Sequence, residues 1–186
     1  MIDMLIMQEE MLQKLEQENL ILNNISNIDE LTGINNRRGF ITKTMEILKK
    51  PKNLGKEAVL CYADLNYLKL INDTYSHAEG NYSLQTCANT LTQATDEDCI
   101  VGRIGGDEFA ILKLISNPED GCSLKTKVQK ILEEHNAVST KPFEISMSIG
   151  IHNFTVTKNC DLKELIKEAD AKLYIEKEKK RPFIQR

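Results

Sequence analysis

The sequence predicts an α/β domain in which helices cover a mixed sheet. Three observations carry this prediction. Short apolar runs alternate with longer stretches of helical composition along most of the chain. Two of those runs flank Gly105-Gly106-Asp107-Glu108, a tight-turn sequence that makes them the arms of one hairpin. The 186 residues, 41% hydrophobic and 28% charged, have globular composition and room for one domain with its own core.

From Met1 to about Ile25 the chain lacks Pro and Gly and is rich in Leu, Met, Glu and Gln, a strongly helical composition. In one heptad register Leu5, Leu12 and Asn19 take the a positions, and Gln8, Leu15 and Leu22 the d positions. An Asn at an a position fixes register in two-stranded coiled coils, so residues 1–28 read as a dimerisation or signalling stalk. The competing reading is an amphipathic helix packed on its own domain. Residues 29–186 then form the main domain. Within it, 36–49 reads as helix, the apolar run 58–64 as a buried strand, 66–74 as a short helix and 79–95 as a helix. The hairpin arms are 99–104 and 108–115, followed by helix at 122–137, strand at 144–152 and helix at 161–179. Gly33, Gly55 and Pro118 fall in connections, and there are no repeats or low-complexity linkers.

Composition narrows the function. A net charge of −4 argues against a general nucleic-acid binder, which presents a basic face. No apolar run approaches the ~20 residues that span a bilayer. Met1-Ile2-Asp3-Met4 has no basic region of the kind that begins a signal peptide. Cys61, Cys87, Cys99, Cys122 and Cys160 are scattered, without a CxxC pair, and read as reduced, mostly buried thiols. The expectation is a cytoplasmic protein with no membrane segment in this chain.

Two acid sites carry the chemistry. Asp107 and Glu108 follow a double glycine at a hairpin tip, a pattern suited to a hard metal ion holding phosphates, although charge at a hairpin tip is often only solvation. Asp64 ends the apolar run Ala58–Ala63, and ligands gather at the carboxyl ends of strands in open α/β sheets. An acid there also serves as a helix cap. Together the two sites could clamp one or two Mg²⁺ ions for an in-line phosphoryl transfer.

These segments resemble the GGDEF family, the diguanylate cyclases of bacterial signalling. Residues 29–38 (Asp-Glu-Leu-Thr-Gly-Ile-Asn-Asn-Arg-Arg) match its opening motif, and 64–77 match its metal and nucleotide segment. Ser146-Met147-Ser148-Ile149-Gly150, with Ala169-Asp170, Tyr174, Lys177 and Arg181, matches its C-terminal end. The resemblance implies a ferredoxin-like palm, a mainly antiparallel central sheet flanked by helices, as in nucleotide cyclases and polymerases. It implies that Asp64 and Asp107, helped by the Leu65 carbonyl, bind two Mg²⁺ ions, with Mn²⁺ as the alternative. Glu108 would complete the second metal site or help deprotonate the attacking hydroxyl. Gly105 and Gly106 would let the backbone approach the nucleotide, while the N–H groups of Asn66, Tyr67, Leu68 and Lys69 cradle phosphates. Lys69, Lys177 and Arg181 would hold the outer phosphates. Asn72 would contact the base, with Leu84 lining its pocket, and His77 reads as structural. The implied reaction joins two GTP, one per protomer, into cyclic di-GMP with loss of two pyrophosphates. A homodimer through the N-terminal helix, answering an upstream sensor or partner protein, would bring the nucleotides face to face.

The chain departs from the family pattern in places. Asn81 stands where the family has an Asp that reads guanine. A carboxylate accepts both donors of the guanine edge, whereas an amide suits the donor and acceptor of adenine. Asn81 therefore raises the alternative of relaxed base choice that admits ATP. Residues 96–99, Asp-Glu-Asp-Cys, replace the Arg-x-x-Asp at which product inhibits many members, so feedback through this route is not expected. Ser76 replaces a usual Gly, which puts the local turn in question. A third reading is a catalytically silent GTP-binding module that regulates a partner.

Overall fold

The structure is a computed structural model that describes residues 11, 12, 14, 27–116 and 120–180. The expected N-terminal helix and its heptad register lie outside the described residues, apart from Met11, Leu12 and Lys14; so do Pro118 and Arg181. Helix α1 is Arg37–Lys49, followed by a 3-10 turn at Pro51–Asn53 and strand β1 at Glu57–Leu65. Helices α2 (Leu68–Thr74) and α3 (His77–Ala94) lead to strands β2 (Ile100–Arg103) and β3 (Glu108–Ile115). Helix α4 (Asp120–Val138), strand β4 (Met147–Thr155) and helix α5 (Leu162–Lys180) complete the chain.

Local chemistry sets the boundaries. Asn36 caps α1, its side chain accepting from the Gly39 N–H at 3.0 Å. Ser76 does the same for α3, accepting from the Glu79 N–H at 3.3 Å. That cap starts α3 two residues before the predicted boundary and settles the turn that the missing Gly put in question: Ser76 is extended, and its hydroxyl is used. Helix α2 begins two residues later than predicted because Tyr67 is left-handed, at φ 62.

The sheet order is β2-β3-β1-β4, and all three pairings are antiparallel. With one or two helices in each of two crossovers, this is the split βαβ arrangement of a ferredoxin-like palm. The parallel character expected of a mixed sheet is confined to a single bridge, Asn35 with Gly102.

Strand β1 is buried along nearly its whole length and feeds two cores. Val59, Cys61, Ala63 and Leu65 face α3 and α4, with Leu84, Cys87, Leu91 and Val128. Ala58, Leu60 and Tyr62 face α1 and α5, with Phe40, Ala169 and Leu173. Each large side chain buried this way contributes about 1.5–3 kcal/mol. Gly150 lets α5 lie directly on β4: a Cβ there would come within 2.1 Å of the Ala169 carbonyl oxygen and 2.3 Å of the Leu173 nitrogen. Asp64, the eighth residue of β1, continues the α5-facing row and so emerges beneath that helix.

Candidate functional site

Register builds the site. Asp64 sits opposite Glu108 on one side and Ser148 on the other, so three polar side chains form a row across the sheet end. Past Asp64 the chain is pinned twice: the Leu65 N–H donates to the Asp107 carbonyl at 3.0 Å and the Asn66 N–H to the Ser146 carbonyl at 2.9 Å. Tyr67, 62% exposed, then turns into the left-handed region, and α2 starts. These turns enclose a cleft of about 480 Å³ lined by Asp64, the 65–69 turn, Asp107, Ser146, Ser148 and Lys177.

Lys177 reaches down from α5 and pairs with Asp64, Nζ to Oδ2 at 2.7 Å. Its neighbour Glu176 holds the helix in place, pairing with Lys125 of α4 and accepting the Ile149 N–H at 3.3 Å. Burial raises the Asp64 pKa, the Lys177 ammonium pulls it back, and the charges of Asp107 and Glu108 push it up again. Among the described residues no three acid, His or Cys side chains converge as a ready-made metal cage. The cleft instead offers two carboxylates, Asp64 and Asp107, beside the 65–69 backbone. That donor set fits Mg²⁺, which takes one or two carboxylates and completes its shell with water and substrate phosphates.

The hairpin tip is braced from outside. Arg103 donates through Nη2 to the Gly106 carbonyl at 2.7 Å and through Nη1 to Asp29 at 3.2 Å. Asp29 also accepts from the Thr32 N–H at 3.0 Å and hydroxyl at 2.6 Å. Burial opposes ionisation of Asp29, but these hydrogen bonds outweigh it and hold the carboxyl below its ordinary range.

Glu108 does not line the cleft with Asp64 and Asp107. Its carboxylate lies over Gly105, where a Cβ would come within 2.2 Å of Oε2, and it lines a second cavity of about 630 Å³ between α1 and α5. Its walls combine the apolar side chains of Ile41, Met45, Ile104, Leu162 and Ile166 with the charged ones of Arg37, Asp161 and Lys163. Tyr62 shares this cavity; burial, then the nearby Glu108 charge, raises the Tyr62 pKa.

The remaining predicted residues fall in several places. Leu65, Asn66, Tyr67, Leu68 and Lys69 all line the cleft, but the Asn66 N–H is committed to Ser146, so the free part of the phosphate cradle is Tyr67–Lys69. Gly106 faces open space. Asn72 lies against Gly80, next to exposed Asn81 at the start of α3. Leu84 is buried in the core cluster and is not part of the cleft lining. Cys61 and Cys87 are buried, Cys99 and Cys160 are half-buried, and Cys122 is exposed. No described helix is long and apolar enough to cross a membrane. Sequence reasoning singled out neither Ser146, Ser148, Tyr62, Arg103 nor Asp29 for a role at the site. The alternation Ser146-x-Ser148, which puts both hydroxyls on one side of an extended segment leading into β4, is the signal that was present.

Known proteins share this fold. The solved structure of the coiled coil and GGDEF domain of DgcB from Caulobacter crescentus, in complex with c-di-GMP, superposes with a TM-score of 0.78 at 20% identity, covering 94% of this chain and 92% of that one. The diguanylate cyclase SiaD of Pseudomonas aeruginosa, solved with its activator SiaC, gives 0.76 at 24% identity, covering 94% and 66%. Among curated proteins, the signaling protein YkoW of Bacillus subtilis is 32% identical over 85% of this chain and 20% of its own length. The probable diguanylate cyclase DgcJ of Escherichia coli is 31% identical over 88% and 31%. The chain thus spans about a fifth to a third of these two relatives' lengths. The family described as "Diguanylate cyclase, GGDEF domain" matches residues 26–182, and the chain belongs to it.

Proposed function

We propose that this chain is a diguanylate cyclase: it binds GTP in the cleft at the end of β1 and joins two GTP into cyclic di-GMP. The observation that carries this reading is the convergence of Asp64, Asp107 and Lys177 on one cleft beside the 65–69 turn. Asp64, Asp107 and the Leu65 carbonyl would hold two Mg²⁺ ions, with Mn²⁺ as the alternative. Bound there, the ions would neutralise phosphate charge and activate the 3′-hydroxyl. Lys69, Lys177 and Arg181 take the outer phosphates, and Tyr67–Lys69 supply N–H donors. Glu108 serves as a further ligand or as acceptor of the hydroxyl proton. Asn72 and Asn81 meet the base.

Each cleft holds one GTP, so the 3′-hydroxyl of one nucleotide attacks the α-phosphorus of the other across a homodimer, and pyrophosphate leaves. Residues 1–28 act as the dimerising stalk in this reading, and residues 29–186 as the catalytic domain. A sensor or partner protein sets the geometry of that dimer, and the chain works in the cytoplasm.

Asn81 favours a second reading, a cyclic dinucleotide synthase that also admits ATP. An amide facing the guanine edge leaves a donor unpaired, at about 1–3 kcal/mol. Mass spectrometry of products from purified protein with Mg²⁺ and GTP, ATP or both separates the readings, with Asp107→Ala as control. Cyclic di-GMP alone supports the first, and an adenine-containing dimer supports the second. Absence of product at high protein concentration would favour a GTP-binding regulatory module.

A further inference from the structure

Ser146, Asn66 and Ser148 form a chain of side-chain hydrogen bonds along the wall of the cleft. The Ser148 hydroxyl donates to Asn66 Oδ1 at 2.9 Å, and Asn66 Nδ2 donates to Ser146 Oγ at 3.0 Å. All three residues line the cleft. Ser148 is fully buried, whereas Ser146 is half-exposed.

The direction of this chain follows from what each end can satisfy. A hydroxyl has one proton to give. Ser148 is 0% exposed, and a buried donor left unpaired is costly, so its proton goes to the Asn66 carbonyl. The amide then presents its N–H₂ to Ser146, whose oxygen becomes an acceptor. The Ser146 proton is thereby left over, on the one hydroxyl of the three residues that meets the open cleft. Position 66 enforces the sense of the relay: a carboxylate there would accept from both serines and draw the Ser146 proton inward. The Asn66 backbone fixes the same spacing, since its N–H donates to the Ser146 carbonyl at 2.9 Å.

We propose that Ser146 is a substrate-binding residue that donates its hydroxyl hydrogen bond to a phosphate oxygen of the bound triphosphate, and that Asn66 and Ser148 are the positioning residues that aim it. This rests on the reading that the cleft holds a nucleoside triphosphate. The chemistry is that of a neutral donor beside two cations: Lys177 and Lys69 supply charge to the same cleft, and Ser146 supplies direction.

Isothermal titration calorimetry with Mg²⁺-tripolyphosphate and with Mg²⁺ plus a GTP analogue methylene-bridged between the α- and β-phosphates tests this. Wild type, Ser146→Ala, Ser146→Thr, Ser148→Ala and the Ser146→Ala/Ser148→Ala double variant would be compared. Ser146→Ala is expected to weaken both ligands about tenfold, the loss of one hydrogen bond to a charged group. Ser146→Thr, which keeps the hydroxyl, should bind within about twofold of wild type. Ser148→Ala should weaken binding by a smaller factor and add nothing on top of Ser146→Ala, because both act through one bond. Unchanged binding in Ser146→Ala, or equal loss in Ser146→Ala and Ser146→Thr, would overturn the proposal. So would additive losses in the double variant. Wild type that binds tripolyphosphate, with the Ser146→Ala loss, but not the GTP analogue would sustain the Ser146 role while removing the cyclase reading. Wild type that binds neither would remove both.

Discussion

Asp107 and Glu108 are adjacent in sequence and end up in different surroundings. Asp107 opens onto a polar cleft with Asp64, Lys177 and two serines. Glu108, the first residue of β3, folds back over Gly105 into a cavity walled by Ile41, Met45, Leu162 and Ile166, with the Tyr62 hydroxyl for company. The difference teaches that adjacency in sequence does not put two acids in one cavity. Successive side chains at a strand end diverge, so Asp107 lines the polar cleft while Glu108 lines a separate cavity whose walls mix apolar side chains with Arg37, Asp161 and Lys163.

The two acids are expected to answer differently to substitution. Asp64→Ala and Asp107→Ala should each abolish Mg²⁺ binding by calorimetry and lower cyclic dinucleotide formation by about a thousandfold or more. Glu108→Gln should lower turnover by about 10²-fold, in the range of lost proton transfer, yet keep Mg²⁺ affinity near wild type. Equal loss of metal affinity in all three variants would erase the distinction. Gly150→Ala should come next. The new methyl group forces α5 away from β4 and lifts Lys177 from Asp64, so thermal unfolding should show about 1–3 kcal/mol of destabilisation together with weaker triphosphate binding. Loss of stability with unchanged binding would show that the cleft tolerates a displaced helix.

The brace on the hairpin tip is read in stability alone. Asp29→Asn should cost about 1–3 kcal/mol in urea unfolding at neutral pH. Because the Asp29 carboxyl is held below its ordinary range, the contribution of the pair is complete above about pH 4 and fades as pH falls through the folded value. Wild type and Asp29→Asn should therefore converge in stability under acid; a constant gap down to the lowest workable pH would count against the ion pair. Tyr62→Phe is the mildest case. It removes a hydroxyl from the Glu108 side alone, so about 1 kcal/mol of stability should go while Mg²⁺ binding stays. A change in Mg²⁺ affinity would mean that the cavity and the cleft communicate.

Much of this architecture was legible in the residues. The continuous apolar run before Asp64 specified a buried strand, the double glycine between apolar arms specified the hairpin, and the helices followed from composition. The resemblance then named the palm, which periodicity alone had left as a helix-covered sheet. Other features depend on contacts between distant parts of the chain. Asp29 and Arg103 are 74 positions apart, and nothing local in either segment announces the pair. The Tyr62 contact with Glu108 arises only once β1 and β3 lie in register. Left-handed backbone is signalled by Gly or Asn, and at position 67 the residue is Tyr, so the late start of α2 had no sequence marker. The contacts that fix Glu176 beside Lys177, to Lys125 and the Ile149 N–H, come from other elements, so no local sequence signal shows them.

Tyr67 has a consequence of its own. A bulky residue rests at φ 62 only when its surroundings insist, and such a conformation costs on the order of 1–3 kcal/mol. Here the insistence comes from two backbone pins immediately upstream, at Leu65 and Asn66. The turn is therefore a loaded spring clamped at its base. Its coil is already wound when the chain folds, and a ligand arriving at the Tyr67–Lys69 amides meets a finished surface rather than one it must bend into shape.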